Sequence, residues 1–240
     1  MISGRIAVVA AMEQEARALF PNAETGMNGR YKTLTGKLSS TFDYKCIIAG
    51  IGHERAAEAA EKLCLEKPAL LMSIGVSGGL APGLNAGSLI MASAIVSDQD
   101  EYKTWRESDF DAAARMELFP ACGEIQCGKL VTAESPVLTP QDKLAMHERT
   151  GALAVDMESA AVASVAMHHQ TPFACIRAIS DDYSRGIPPE SLGGVNEQGK
   201  TEIAPILKAI CRRPSLIFQL IPMGMDYSKA LKALGTIFMN

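Results

Sequence analysis

The feature that most constrains this chain is a repeated change of period. Short apolar runs of strand length give way, again and again, to Ala-rich or amphipathic stretches of helix length. Strand-like segments fall at residues 5–9, 31–38, 44–49, 70–74, 88–96, 129–132, 152–155 and 173–179. Helix-like segments fall at 12–20, 54–65 and 159–168. Alternation of this kind places helices on both faces of a sheet, because each element must bury its apolar side against another. The predicted class is therefore α/β, a three-layer sandwich with a central mixed sheet. At 240 residues the chain is long enough to bury such a core as one domain, 1–240, with a basic and apolar C-terminal extension at about 208–240. Residues 183–202, rich in Gly and Pro, read as a mobile loop.

Composition removes several classes of function. A net charge of −4 and an isoelectric point near 5.6 argue against a nucleic-acid partner. The six cysteines are scattered; Cys122 and Cys127 are the one close pair, and no His stands at ligand spacing from them. That pattern predicts reduced thiols in a cytoplasmic protein and argues against a zinc site. Residues 6–11 are too short for a signal-peptide core and run straight into Glu13 and Glu15. No apolar run has the length of a membrane span.

In an α/β sheet, ligands bind beyond the carboxyl ends of the strands. Five strand ends carry polar or Gly residues: Ala11-Met12-Glu13-Gln14-Glu15, Gly50-Ile51-Gly52, Gly75-Val76-Ser77-Gly78-Gly79-Leu80, Val155-Asp156-Met157-Glu158-Ser159-Ala160 and Arg177-Ala178-Ile179-Ser180-Asp181. Each has a plain structural reading beside the functional one. Glu13, Glu15 and Glu158 are first-turn acids of the kind the helix dipole favours, and Asp181 is a turn former or N-cap. Arg177 is a buried ion-pair partner, and Met157 is core. Glycines mark tight turns as well as close ligand approach; the pair Gly78-Gly79, read as a loop, offers backbone N–H groups to an anion or a sugar.

Taken in order, these segments resemble the purine nucleoside phosphorylase/uridine phosphorylase superfamily, and most closely its nucleosidase branch, typified by methylthioadenosine/S-adenosylhomocysteine nucleosidase. Arg212-Arg213-Pro214-Ser215-Leu216 and the apolar stretch after it resemble the hopanoid-associated members, which are implicated in removing adenine from adenosylhopane. The resemblance implies cleavage of the N-glycosidic bond of an adenine nucleoside, with no metal, no cofactor, and a homo-oligomeric state. It implies that Asp181 donates to the purine base, a role open to a carboxyl group held protonated by low-polarity surroundings. Glu158 would bind the ribose hydroxyls, Met157 would lie against the ribose, and Arg177 would orient acids and water. Ile51, Ser77, Gly78, Val137 and Ser180 would complete the substrate contacts.

Glu15 matches the glutamate that activates water in the nucleosidase branch, and its charge repels phosphate. Val76 stands where relatives carry a Ser, with Ser77 one place along. Hydrolysis of adenosylhopane in hopanoid synthesis is favoured. The alternatives are phosphorolysis, and hence a phosphate partner, or hydrolysis of methylthioadenosine or S-adenosylhomocysteine; a nucleoside-binding protein without turnover is the non-enzymatic one. Residues 133–138 contain no aromatic, so Pro136 and Val137 are left to face the base. Asp182, beside Asp181, reads either as a second acid, the pair raising one another's pKa, or as a solvent-facing residue. Trp105 reads as part of a lid or a subunit contact. The C-terminal stretch reads as packing helices, or as an interfacial element that brings the enzyme to the inner membrane, to which it would be peripheral.

Overall fold

The computed structural model describes residues 4–98, 104–106, 125–194 and 203–238. Ten strands form one mixed sheet: β1 (Gly4–Ala10), β2 (Glu24–Asn28), β3 (Tyr31–Lys37), β4 (Phe42–Ile48), β5 (Leu70–Gly79), β6 (Leu89–Ser97), β7 (Thr104–Arg106), β8 (Gln126–Thr132), β9 (Ala154–Asp156) and β10 (Phe173–Asp181). The helices are α1 (Glu13–Leu19), α2 (His53–Cys64), α3 (Pro140–Thr150), α4 (Ser159–His168), α5 (Ile203–Arg212) and α6 (Ile217–Gly235).

The sheet does not stay open. β5 runs parallel to β10, β10 pairs antiparallel with β6, β6 parallel with β8, and β8 parallel with β9. β9 then returns antiparallel to the end of β5, at Gly78 and Gly79, so five strands close into a ring. β1 pairs with the other edge of β5, and β4, β3 and β2 extend the sheet outward as a wing. The ring holds its strand ends close together, and there the polar segments meet.

Of the three apolar clusters among the described residues, the two larger ones sandwich this sheet, and the third, with Leu80, Val131, Met146 and Val155, lies under α3. On one face α2 supplies Ala56, Ala59, Ala60 and Leu63, a helical stripe of small residues, against Val162, Ala163 and Ala166 of α4 and the strands beneath. On the other face Ala16 and Leu19 of α1 and Ala230 and Leu234 of α6 cover Ile6, Met72, Ile74 and Ile176. Trp105 belongs to the first core: it is buried and meets Phe173 edge-on at 5.0 Å between ring centres, the geometry a ring quadrupole favours. A lid or subunit role for Trp105 is therefore not what this packing provides. Its charged neighbours 99–103 lie outside the described residues, as do Cys122 and residues 195–202 of the Gly/Pro-rich segment.

The C-terminal segment is helical, as its plainer reading held. α6 continues through Pro222 and Gly224, and its second half is core: Gly235 packs so closely on α1 that a Cβ there would lie 3.0 Å from the Ala18 carbonyl oxygen. Its first half exposes Phe218 (78%), Ile221 (56%) and Met225 (59%). No helix among the described residues is long and apolar enough to cross a membrane.

Candidate active site

Glu15 is placed by the first turn of α1. Its Oε2 accepts from the Met12 N–H (2.8 Å) at the end of β1, and its Oε1 accepts from the Val76 N–H (2.9 Å) on β5. The approach to β5 is possible because residue 75 is glycine; a Cβ there would lie 2.8 Å from Glu15 Oε1. Burial pushes the Glu15 carboxyl above the usual range, against the pull of these two N–H groups and of Arg177.

Glu158 closes the other side. It follows β9 and heads α4, and its Oε1 accepts from the Gly52 N–H at 2.9 Å. Gly50 and Gly52 both have positive φ (87° and 106°), so the Gly-Ile-Gly turn needs glycine for its backbone as well as for this contact. Burial and the neighbouring Asp156 raise the Glu158 carboxyl to about 7.

Arg177 projects from β10 into the interior. Its Nε donates to Asp156 Oδ2 (2.7 Å), and its second guanidinium nitrogen reaches Asp156 (2.6 Å) and the Ser73 hydroxyl (2.8 Å). Asp156 is in turn held by Thr132 Oγ1 (2.8 Å) and by the hydroxyl of Ser159 (2.9 Å). Arg177 is thus an ion-pair partner, as its structural reading held, yet it borders a small pocket of about 10 Å³ shared with Glu15, Glu158 and Ser73. That is the room one water needs, among several polar groups.

Asp181 ends β10 beyond a bulge. Ile179 pairs with Ser77 and Asp181 with Gly78, so Ser180 is the extra residue and Asp181 is re-aimed. Ser180 Oγ donates to Asp181 Oδ1 at 2.7 Å, and the Ser77 carbonyl oxygen lies 3.2 Å from the same hydroxyl. Gly75–Gly79 are part of β5, not a loop, which corrects the anion-cradle expectation. Their lack of side chains serves close approach: a Cβ on Gly78 would sit 3.3 Å from Asp181 Oδ2, and one on Gly79 3.1 Å from the Asp181 carbonyl oxygen.

The low-polarity surroundings expected for Asp181 are also absent. Lys143 of α3, 0% exposed, ion-pairs with Asp181 Oδ2. Asp182 is no second acid of the site. It turns back on the loop, where Ser184 donates both its N–H (2.8 Å) and its hydroxyl (2.6 Å) to Oδ1. Burial opposes these bonds, but with Arg185 and Lys143 nearby they hold the Asp182 carboxyl below its ordinary range, opposite to the mutual raising expected.

These residues surround a cleft of about 200 Å³ at the carboxyl end of the ring. Glu15, Ile51, Ser77, Gly78, Val137, Met157, Glu158, Ser180 and Asp181 all line it. Arg177 does not; it lies behind Glu15 and Glu158. Sequence reasoning missed Lys143 and Ile187, and it gave Asp156 and Gly75, which lie in two of the strand ends it singled out, no role of their own. Ile187 borders the cleft from the loop after β10, where its N–H donates to the Leu138 carbonyl (2.8 Å). The sequence reading places no helix at residues 140–150, and a lysine there carries no sign that it points inward. Among the described residues no cluster of three or more His, Cys, Asp or Glu could hold a metal ion.

A mixed sheet closed into a ring, flanked by helices and ending in this cleft, defines a nucleoside phosphorylase-type α/β fold. The chain belongs to the phosphorylase superfamily, whose family model matches residues 5–212. Its fold is that of the 5′-methylthioadenosine/S-adenosylhomocysteine nucleosidases. A mutant of the Helicobacter pylori enzyme, with 5′-methylthioadenosine in the active site, superposes with a TM-score of 0.73 at 15% identity, covering 98% of this chain and 96% of the other. The Neisseria meningitidis enzyme in complex with methylthio-immucillin-A gives 0.69 at 20% identity, covering 97% of each chain. Futalosine hydrolase of Helicobacter pylori is similarly related, with a TM-score of 0.72 at 14% identity, covering 97% of this chain and 94% of the other.

Proposed function

We propose that this protein is a nucleosidase that hydrolyses the N-glycosidic bond of an adenine nucleoside. The observation that carries the choice of water over phosphate is the make-up of the cleft wall. Among the described residues the lining contains Glu15, Asp156, Glu158 and Asp181 and no Lys or Arg. The Arg177 guanidinium, behind Glu15 and Glu158, is already shared between Asp156 and Ser73. A phosphate dianion would face carboxylates without a free cation, whereas phosphate sites gather arginines.

In this reading the base lies between Pro136, Val137 and Ile187, with Asp181 at its N7. Glu158 takes the ribose hydroxyls, a contact that tightens as the sugar flattens towards a cation. Water in the small pocket beside Glu15 attacks the anomeric carbon and gives its proton to that carboxylate, while the bond electrons leave with the base. The raised pKa of Glu15 makes it the stronger base once ionised.

For the substrate we favour adenosylhopane, on the likeness of the Arg212–Leu216 segment to hopanoid-associated proteins. Phe218, Ile221 and Met225, exposed beside Lys208, Arg212 and Arg213, support contact with an anionic membrane surface, through which a cytoplasmic enzyme reaches a lipid-linked nucleoside. The oligomeric state proposed is a homo-oligomer, from the superfamily resemblance.

Adenine release from methylthioadenosine and from adenosylhopane, with and without phosphate, tests the reading. Free ribose product without phosphate supports it. A ribose 1-phosphate product formed only with phosphate assigns a phosphorylase instead. Binding without release assigns a binder, and failure to sediment with anionic liposomes removes the membrane contact.

A further inference from the structure

The reading above leaves one buried cation without a task. Lys143 is wholly enclosed, and each N–H of its ammonium has an acceptor: Asp181 Oδ2, the Asp182 carbonyl oxygen at 2.9 Å and the Arg185 carbonyl oxygen at 3.0 Å. A buried, enclosed ion pair keeps its full interaction because water and salt cannot screen it. Among the described residues no other charged side chain pairs with Asp181. The Asp182 carboxylate is taken by Ser184, and the Arg185 guanidinium by Asp226 (2.8 Å). Along α3, Asp142 is held by Thr139, and His147 Nδ1 lies 2.8 Å from the Ala152 carbonyl oxygen. Glu15 and Glu158 are anchored by their own N–H donors.

We propose that Lys143 is a positioning residue that works through Asp181, the two sharing the single proton that departure of the base requires. The inference rests on the nucleosidase reading. At rest the pair is ammonium and carboxylate. As the C–N bond breaks and its electrons pass to the purine, the Asp181 carboxyl delivers that proton to N7 and the pair is left as amine and carboxylate. Solvent then returns one proton. Lysine suits this where arginine would not, because an ammonium can pass a proton to its partner and a guanidinium does not.

The test is kcat/KM for adenine release against pH, in wild type, Lys143→Met and Lys143→Arg, with nucleoside-analogue affinity measured beside it. In Lys143→Met the proton must be held by Asp181 alone, and the alkaline limb is expected to lie at lower pH than in wild type. Lys143→Arg keeps the charge and the carbonyl contacts but releases no proton, so turnover is expected to fall at least about 100-fold with analogue affinity within about threefold. If Lys143→Met does not fold, the Arg variant decides alone. A Met profile that overlays wild type apart from a uniform loss, or an Arg variant as active as wild type, overturns the proposal and leaves Lys143 as an anchor for residues 182–185. Absence of adenine release from wild type overturns the nucleosidase reading itself, a distinct outcome.

Discussion

The two ends of the cleft are built on opposite electrostatic plans. The proposed function puts the sugar at one end and the base at the other. At the sugar end three carboxylates, Glu15, Asp156 and Glu158, crowd one guanidinium, and that guanidinium is spent on Asp156. At the base end one carboxylate, Asp181, has one ammonium to itself. On the proposed mechanism, the first arrangement gathers carboxylates where a ribosyl cation would develop, and the second balances its charge where a proton would be handed over. The same strand, β10, supplies Arg177 to one end and Asp181 to the other, and the bulge at Ser180 separates the two tasks.

Four measurements break or sharpen this contrast. The largest effect is expected from Asp181→Asn, which keeps the shape of the base end but removes its acid. Turnover should fall by about 10²–10⁴ while binding of a nucleoside analogue is largely spared. Equal turnover would strip Asp181 of its role. Next, Arg177→Met leaves Asp156 buried without its counter-ion, and a denaturation curve should show a loss of about 3–5 kcal/mol in stability. An unchanged midpoint would mean that water screens the sugar end.

Gly75→Ala is expected to be milder. Its methyl must displace the Glu15 carboxylate, so kcat should drop by roughly 10- to 100-fold, with the base end untouched. The smallest effect is in pH. With Glu158 titrating at about 7, kcat/KM should fall roughly tenfold from pH 8 to pH 6, and Glu158→Gln should abolish that limb. Linkage adds a sign. The folded pKa lies above the unfolded one, so the native state holds more protons and loses stability as pH rises from about 4.5 to about 7. Urea midpoints at pH 5 and pH 8 should therefore lie further apart for wild type than for Glu158→Gln.

Much of this was legible in the sequence, and what was not has a physical reason. The strand ends carrying Glu15, Glu158 and Asp181 could be read because apolar runs announce strands, and ligands gather at their carboxyl ends. Gly78 and Gly79 were legible as special but not in kind: glycine signals turns and close approach alike, and only the pairing with β9 and β10 shows the second. Lys143 was silent because a long cationic side chain on a helix normally points to solvent. β2 was silent because all but one of its residues are exposed.

The position of β10 has a consequence for how the molecule is made. Among the described residues it is the last strand synthesised, yet it lies between β5 and β6, both of which emerge much earlier. A nascent chain that ends before residue 173 therefore has two unsatisfied strand edges facing one another, with the gap awaiting its final piece. Until that piece arrives, those edges are open to the wrong partner, and a ribosome stalled there would present an aggregation-prone intermediate. The strand that completes the barrel also brings Arg177 and Asp181, so a chain that has not closed has no cleft to work with.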